Sequence, residues 1–275
     1  MSKYQTIEVT TDKPVSTIWL NRPQVRNAFN LTMISELTEI FEKLGNDNSV
    51  RIIVIRGRGK AFCAGADLNW MLEAANYTRE KNYSEAMQLS ECFYNIYSSP
   101  KPVITVVHGA STGGANGLVA ASDIALSADD AVFSLSEVKI GLVPAVISPY
   151  IIKRLGEFPA RELMLTAKRI HGREAEERGL VNHSYPVEEL DQELEQLIEE
   201  LIQGGPEALR KTKELVFDAS NNQTMKNMIE KTAEIIAEIR TSGEGREGMA
   251  AFLEKRKPRW TEINNDQNGQ ITPEK

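Results

Sequence analysis

The sequence predicts an α/β fold in which a strand-rich first half precedes a helical last third. Three observations carry this. Runs of β-branched residues at 50–55 and 103–107 have the composition of strands buried on both faces. The order strand, loop, strand, helix recurs near 50–73 and 103–121, which hints at a spiral of similar units. Beyond Ala145 the hydrophobic pattern is almost entirely helical.

Taken in order, residues 7–10 and 15–20 read as strands joined by the turn residues Asp12, Lys13 and Pro14. Asn21, Arg22 and Pro23 close the second strand, and a loop over 24–29 follows. Asn30 or Thr32 suits the N-cap of a helix reaching Leu44, with Met33, Ile34, Leu37, Ile40, Phe41 and Leu44 on one face. With the strand at 50–55 this makes a parallel crossover unit. A basic loop, Gly57-Arg58-Gly59-Lys60, leads into the small-residue segment 61–68. Residues 69–73 begin a helix, 77–83 read as a mobile polar surface stretch, and 85–98 as an amphipathic helix stopped by Pro100. After the strand at 103–107 come a helix at 115–121 and short strands at 124–127 and 132–134. Helices are then expected at 147–156, 160–166, 172–178, 187–203, 206–219, 224–241 and 243–255. The chain so divides into a core over 1–200, a helical region over 201–260 and a polar tail over 261–275 that reads as disordered.

A hydrophobic content of 41% with 26% charged residues is that of an ordinary soluble protein with a substantial core. The net charge of −7 argues against a nucleic-acid or anionic-membrane binder. The two cysteines, Cys63 and Cys92, and the histidines lack metal-ligand spacing, so neither a metal nor a disulfide framework is expected. No signal-like apolar core opens the chain and no run approaches the ~18 apolar residues of a membrane span, so the expected location is the cytoplasm.

The chemistry concentrates between His108 and Pro144. Gly113-Gly114 opens the small apolar segment 115–121, a helix start whose unpaired amides would stabilise negative charge. Downstream, one carboxylate, Glu137, stands among apolar neighbours in SLSEVKIGLVP. An anion cradle followed by a semi-buried acid is what acyl-group chemistry needs.

FCAGADLNWM at 62–71, KPVITVVHGASTGGANGL at 101–118 and FSLSEVKIGLVP at 133–144 resemble the enoyl-CoA hydratase/isomerase (crotonase) superfamily. LNRPQVRNAF at 20–29 and FLEKRKPRW at 252–260 agree, so the resemblance covers 7–260 in register. It implies a crotonase-type spiral of ββα units with a C-terminal helical trimerisation region, assembled as a trimer or dimer of trimers. The implied oxyanion hole uses the backbone amides of Ala66 and Gly114 to polarise a thioester carbonyl. Coenzyme A, part of the substrate and not a separate cofactor, would meet Val25, Arg26, Ala28, Ala64, Asp67 and Leu68, with Phe252 and Lys255 completing its pocket. Trp70, Met71, Gly117 and Pro144 are the candidate lining of the acyl pocket.

One position departs from the pattern. Two-acid hydratases of the family carry a second glutamate where this chain has Gly117. Glu137 is then the principal acid/base, and water must be held in part by another group. GLVAASDI followed by SEVKIGLVPAVISPYII resembles bacterial methylglutaconyl-CoA and carboxygeranoyl-CoA hydratases, which favours hydration of a branched enoyl thioester. Double-bond isomerisation, which one base can perform, is the alternative. A non-catalytic or RNA-binding member of the fold is another, disfavoured by the acidic balance and by the retention of Glu137 with both oxyanion segments. His108, Ser111 and Asp123 suggest a hydrolytic triad only superficially, because no nucleophile-elbow pattern surrounds Ser111.

Overall fold

β1 (Ile7–Asp12) and β2 (Val15–Leu20) pair antiparallel through six residues each. Every later pairing of the main sheet is parallel: β3 (Ile52–Gly57), β4 (Val103–Val107), β6 (Ile124–Ala128) and β9 (His183–Tyr185) extend it in the order β1-β2-β3-β4-β6-β9. A second sheet takes the order β5-β7-β8 from β5 (Ala110–Thr112), β7 (Val132–Ser134) and β8 (Ile170–His171). Successive turns of chain place one strand in each sheet and then a helix. β4 and β5 lead to α4 (Ala115–Ala121), and β6 and β7 lead to α5 (Ser148–Leu155). This is the spiral that the repeated strand-loop-strand-helix order predicts. Ile52, Ile53, Val54 and Ile55 of β3 are fully buried, as two covered sheet faces require.

In the computed structural model, residues 4–221 and 224–261 are described. Their packing separates two units, Met1–Leu197 and Ile198–Lys275. In the first, α1 (Leu31–Gly45) begins as its sequence directs. The Asn30 side chain accepts the Met33 amide at 2.9 Å, and all six expected apolar residues are buried.

Four sequence expectations need correction. The strand expected at 50–55 starts at Ile52, because the Val50 amide donates to Asp47 and the Arg51 amide to Pro14, closing a turn first. The stretch 77–83, expected to be mobile, lies largely in α3 (Arg79–Tyr97), whose cap is Thr78 accepting the Lys81 amide at 3.3 Å. β5 falls between the strand at 103–107 and the helix at 115–121, where the sequence marks no strand bounds. β8 and β9 fall in a region read as helical, and strands of two or three residues are too short to show a period. The remaining helices of this unit are α2 (Leu68–Ala74), α6 (Glu157–Thr166) and α7 (Gly172–Glu177).

α8 (Leu190–Gln203) runs across the division between the units. In the second unit follow α9 (Pro206–Ser220), α10 (Met225–Thr241) and α11 (Gly243–Leu253). The Glu244 carboxylate accepts the first free amides of α9, from Glu207 and Ala208, at 2.9 and 2.8 Å. Thr261 closes a 3-10 turn with Arg259, and the rest of the tail expected to be disordered, 262–275, lies outside the described residues. Among the described residues no helix is long and apolar enough to cross a membrane.

Candidate active site

Two crossing segments build the site. Phe29 and Ala66 form an isolated parallel bridge in which the Phe29 amide donates to Gly65 at 2.7 Å and the Asp67 amide to Phe29 at 2.8 Å. The neighbours of Ala66 carry those bonds, so its own N–H points the other way. A second bridge joins Cys63 to Ser111 and lays this segment along β5. Gly65 sits at φ +89°, and a side-chain carbon there would come within 2.6 Å of the Thr112 carbonyl oxygen. Only glycine permits that approach. Gly114 follows at the start of α4, after the Gly113 amide has been taken by Ser134 at 2.8 Å. Among the described residues the amides of Ala66 and Gly114 donate to no protein acceptor.

Glu137 opens a 3-10 turn, Glu137–Ile140, beside these amides. A methyl group built on Gly113 would lie 3.3 Å from its Oε1. Its Oε2 is buried without a hydrogen-bond partner. Burial pushes the carboxyl above the ordinary glutamate range, against a weaker pull from its own amide.

Across α4 the wall is apolar. A carbon on Gly117 would collide with Phe93 Cζ at 2.5 Å and with Ile147 Cγ2 at 2.7 Å. Phe93 meets Phe29 edge-on at 6.1 Å and Tyr150 at 6.2 Å, and burial pushes the Tyr150 phenol up to about 12. Pro144 is half-buried and its carbonyl accepts the Ser148 amide at 3.0 Å. Gly117 is thus a packing glycine, with no room for the acid that the family pattern suggests as its replacement.

The structure brings Val25, Arg26 and Ala28 next to Ala64, Asp67 and Leu68. The clamp is Asn27, fully buried, whose amide nitrogen donates to the carbonyls of Arg58, Ala61 and Phe62 at 2.8, 2.9 and 3.1 Å. Ala64 also donates its amide to Arg26 at 2.9 Å. Arg26, Val25 and Leu68 are exposed, whereas Ala28 is buried. The carboxylate of Asp67 points inward, held by Arg22 Nη2 and the Asn69 amide, both at 2.8 Å. Burial alone would raise its pKa, but the Asn69 amide and the Arg22 guanidinium outweigh that and hold it low. Phe252, on α11, and Lys255, just past its end, are exposed residues of the second unit. Trp70 and Met71 are half-buried on α2, and the Trp70 indole donates to Glu85 Oε2 at 2.6 Å.

His108, Ser111 and Asp123 have separate engagements. His108 Nε2 lies 2.9 Å from the Gly59 carbonyl, the Ser111 hydroxyl donates to Asn116, and Asp123 accepts the Val103 amide. The buried Cys63 thiol, pushed up to about 12, donates to the Asn27 carbonyl. His171 and His183 are exposed on β8 and β9. Sequence reasoning missed Arg22, Asn27, Glu85 and Phe93. The Asn-Ala of the 20–29 signature marked Asn27, but nothing local marked the other contacts.

Residues 10–264 match the family model described as enoyl-CoA hydratase/isomerase. The chain is 33% identical to an enoyl-CoA hydratase of Alternaria alternata, AKT6-1, over 88% of this chain and 80% of that protein. The crystal structure of an enoyl-CoA hydratase from Shewanella pealeana superposes with a TM-score of 0.90 at 38% identity, covering 94% of this chain and 97% of that one. Pseudomonas aeruginosa AtuE superposes with a TM-score of 0.91 at 36% identity, covering 94% and 100%.

Proposed function

The chain belongs to the enoyl-CoA hydratase/isomerase family, and on that premise we propose that it adds water across the α,β double bond of an acyl-CoA thioester. The observation that carries this is the buried, unpartnered Oε2 of Glu137 beside two amides with no protein acceptor. The thioester oxygen would accept from the amides of Ala66 and Gly114. As charge builds on that oxygen, the β-carbon becomes electrophilic and the α-carbon basic. Glu137 takes a proton from water while the hydroxide adds to the β-carbon, then returns that proton to the α-carbon. One carboxylate suffices for this syn addition, and a raised pKa suits a group that must both take and give the proton.

The substrate reading is finer still. The likeness of 117–152 to methylglutaconyl-CoA and carboxygeranoyl-CoA hydratases supports a branched acyl chain, as in leucine breakdown. Coenzyme A would lie along 25–28 and 64–68, with Arg26 toward its phosphates and, from a neighbouring subunit, Phe252 and Lys255 toward the nucleotide. Asp67 would contribute there through its backbone, its carboxylate being taken by Arg22. Double-bond isomerisation is favoured by one observation, the Phe93 and Ile147 wall at Gly117 that offers no polar group to a water. A panel of enoyl-CoA thioesters assayed in ¹⁸O-water separates the two. Label in the product marks hydration, and a moved double bond with unchanged mass marks isomerisation. An inert panel would sink both.

A further inference from the structure

α2 is seven residues long and buries none of them. Leu68 and Leu72 are 76% and 69% exposed. A helix this short does not hold itself in water, and packing of an apolar face normally supplies what propensity cannot. Here that face is only half-buried, at Trp70, Met71 and Ala74, and polar ties add to it. At its start Asp67 is fixed by Arg22. One turn on, the Trp70 indole donates to Glu85 Oε2 at 2.6 Å.

Glu85 is unusual in its own right. It is 2% exposed, on the buried face of α3 that continues through Cys92, Phe93 and Ile96. Carboxylates are seldom fully buried unless they are paired. Lys81 Nζ stands 3.0 Å from Oε1 but out of line for a hydrogen bond, so the pair neutralises charge and leaves the directed bond to Trp70. A charged acceptor makes that bond stronger than a neutral one would.

We propose that Glu85 is a positioning residue of the active site: through Trp70 it anchors α2 and so aims the amide of Ala66, which immediately precedes the cap of that helix. The inference rests on the oxyanion role proposed for Ala66. An oxyanion donor stabilises charge only when pre-aimed, and an error of ~1 Å in placement is enough to lose much of its effect. Glu85 itself need not touch the substrate.

The test is a double-mutant cycle with Glu85→Leu, Glu85→Gln, Trp70→Phe and the Glu85→Leu/Trp70→Phe pair, assayed on crotonyl-CoA and on the best substrate of the thioester panel. Glu85→Leu should lower kcat at least tenfold with KM changed less than threefold. Glu85→Gln, which still accepts the indole N–H, should recover most of that loss. The double variant should be no worse than the poorer single one, because both break the same tie. Additive losses, or a lowered Tm with kcat intact, would overturn the proposal.

A second readout does not depend on activity. In a Trp19→Phe/Trp260→Phe background the emission of Trp70 should move to the red in Glu85→Leu and stay near wild type in Glu85→Gln. Unchanged emission refutes the tie even if every thioester is turned over. Changed emission in a protein inert to all thioesters leaves the tie standing and refutes the reading of the reaction.

Discussion

Glu137 carries two properties that rarely coincide in a carboxylate at rest: an oxygen with no partner and a pKa raised by burial. Both suit the acid/base role proposed for it. Glu137→Gln should lower kcat by at least ~10³-fold, of the order that acid–base catalysis contributes, while thioester binding measured calorimetrically stays within a few-fold. In the proposed addition the carboxylate form starts the reaction, so activity should rise with pH through the pKa of Glu137. The acid limb of kcat/KM should therefore lie above the ordinary glutamate range and disappear in the Gln variant. Gly117 makes the opposite kind of prediction. Gly117→Glu should not create a two-acid site, since the first side-chain carbon already meets Phe93 and Ile147. Overpacking and a buried charge together should cost ~3 kcal/mol or more, read as a fall in Tm without a gain on linear enoyl thioesters. The tight turn at the glycines and the burial of Glu137 were legible because small residues in a row and a lone acid among apolar neighbours are local patterns. Phe93 was not, because its contact with Gly117 joins positions on two helices, and only the fold pairs them.

The elements show where a sequence pattern suffices and where it stops. α1 was legible nearly to its ends because an Asn cap and a six-residue apolar stripe state the same helix. α3 lost its first turn and a half to the expectation of a mobile stretch. Its opening residues are almost all polar, and Glu85 looks like one more surface charge among them. The loop over 22–29 is organised by buried polar bonds that no periodicity reports. Its ion pair with the cap of α2 has side chains only 16% and 6% exposed, so breaking it leaves the Asp67 carboxylate without a charged partner. Arg22→Met should cost ~3 kcal/mol in urea unfolding. The sign with pH follows from the depressed pKa of Asp67. The pair contributes above the unfolded carboxylate pKa, and that contribution is lost as pH falls through the lower, folded value. Arg22→Met should accordingly shift acid unfolding to higher pH.

For the molecule as a whole, the spiral was legible from two occurrences of one strand-loop-strand-helix order, and β7 of the second sheet was read at its observed bounds, although β5 and β8 were not. The second unit leaves Met225, Ile229, Phe252 and Leu253 between 68% and 83% exposed. An oligomeric assembly would cover such large apolar side chains. The trimer or dimer of trimers expected of this family should appear in light scattering as three or six times the chain mass. Ile229→Glu should lower that multiple, and a monomer mass for the wild type would refute the expectation.

The contact between Phe93 and Gly117 also has a history written into it. An ancestor or descendant with a second acid at position 117 differs from this chain by at least two changes, and neither comes cheaply first. The acid first collides with the ring. Loss of the ring first opens a core cavity costing ~3–5 kcal/mol, a large share of what a domain has to lose. Either order therefore passes through a destabilised intermediate, and a stabilising substitution elsewhere would ease the passage.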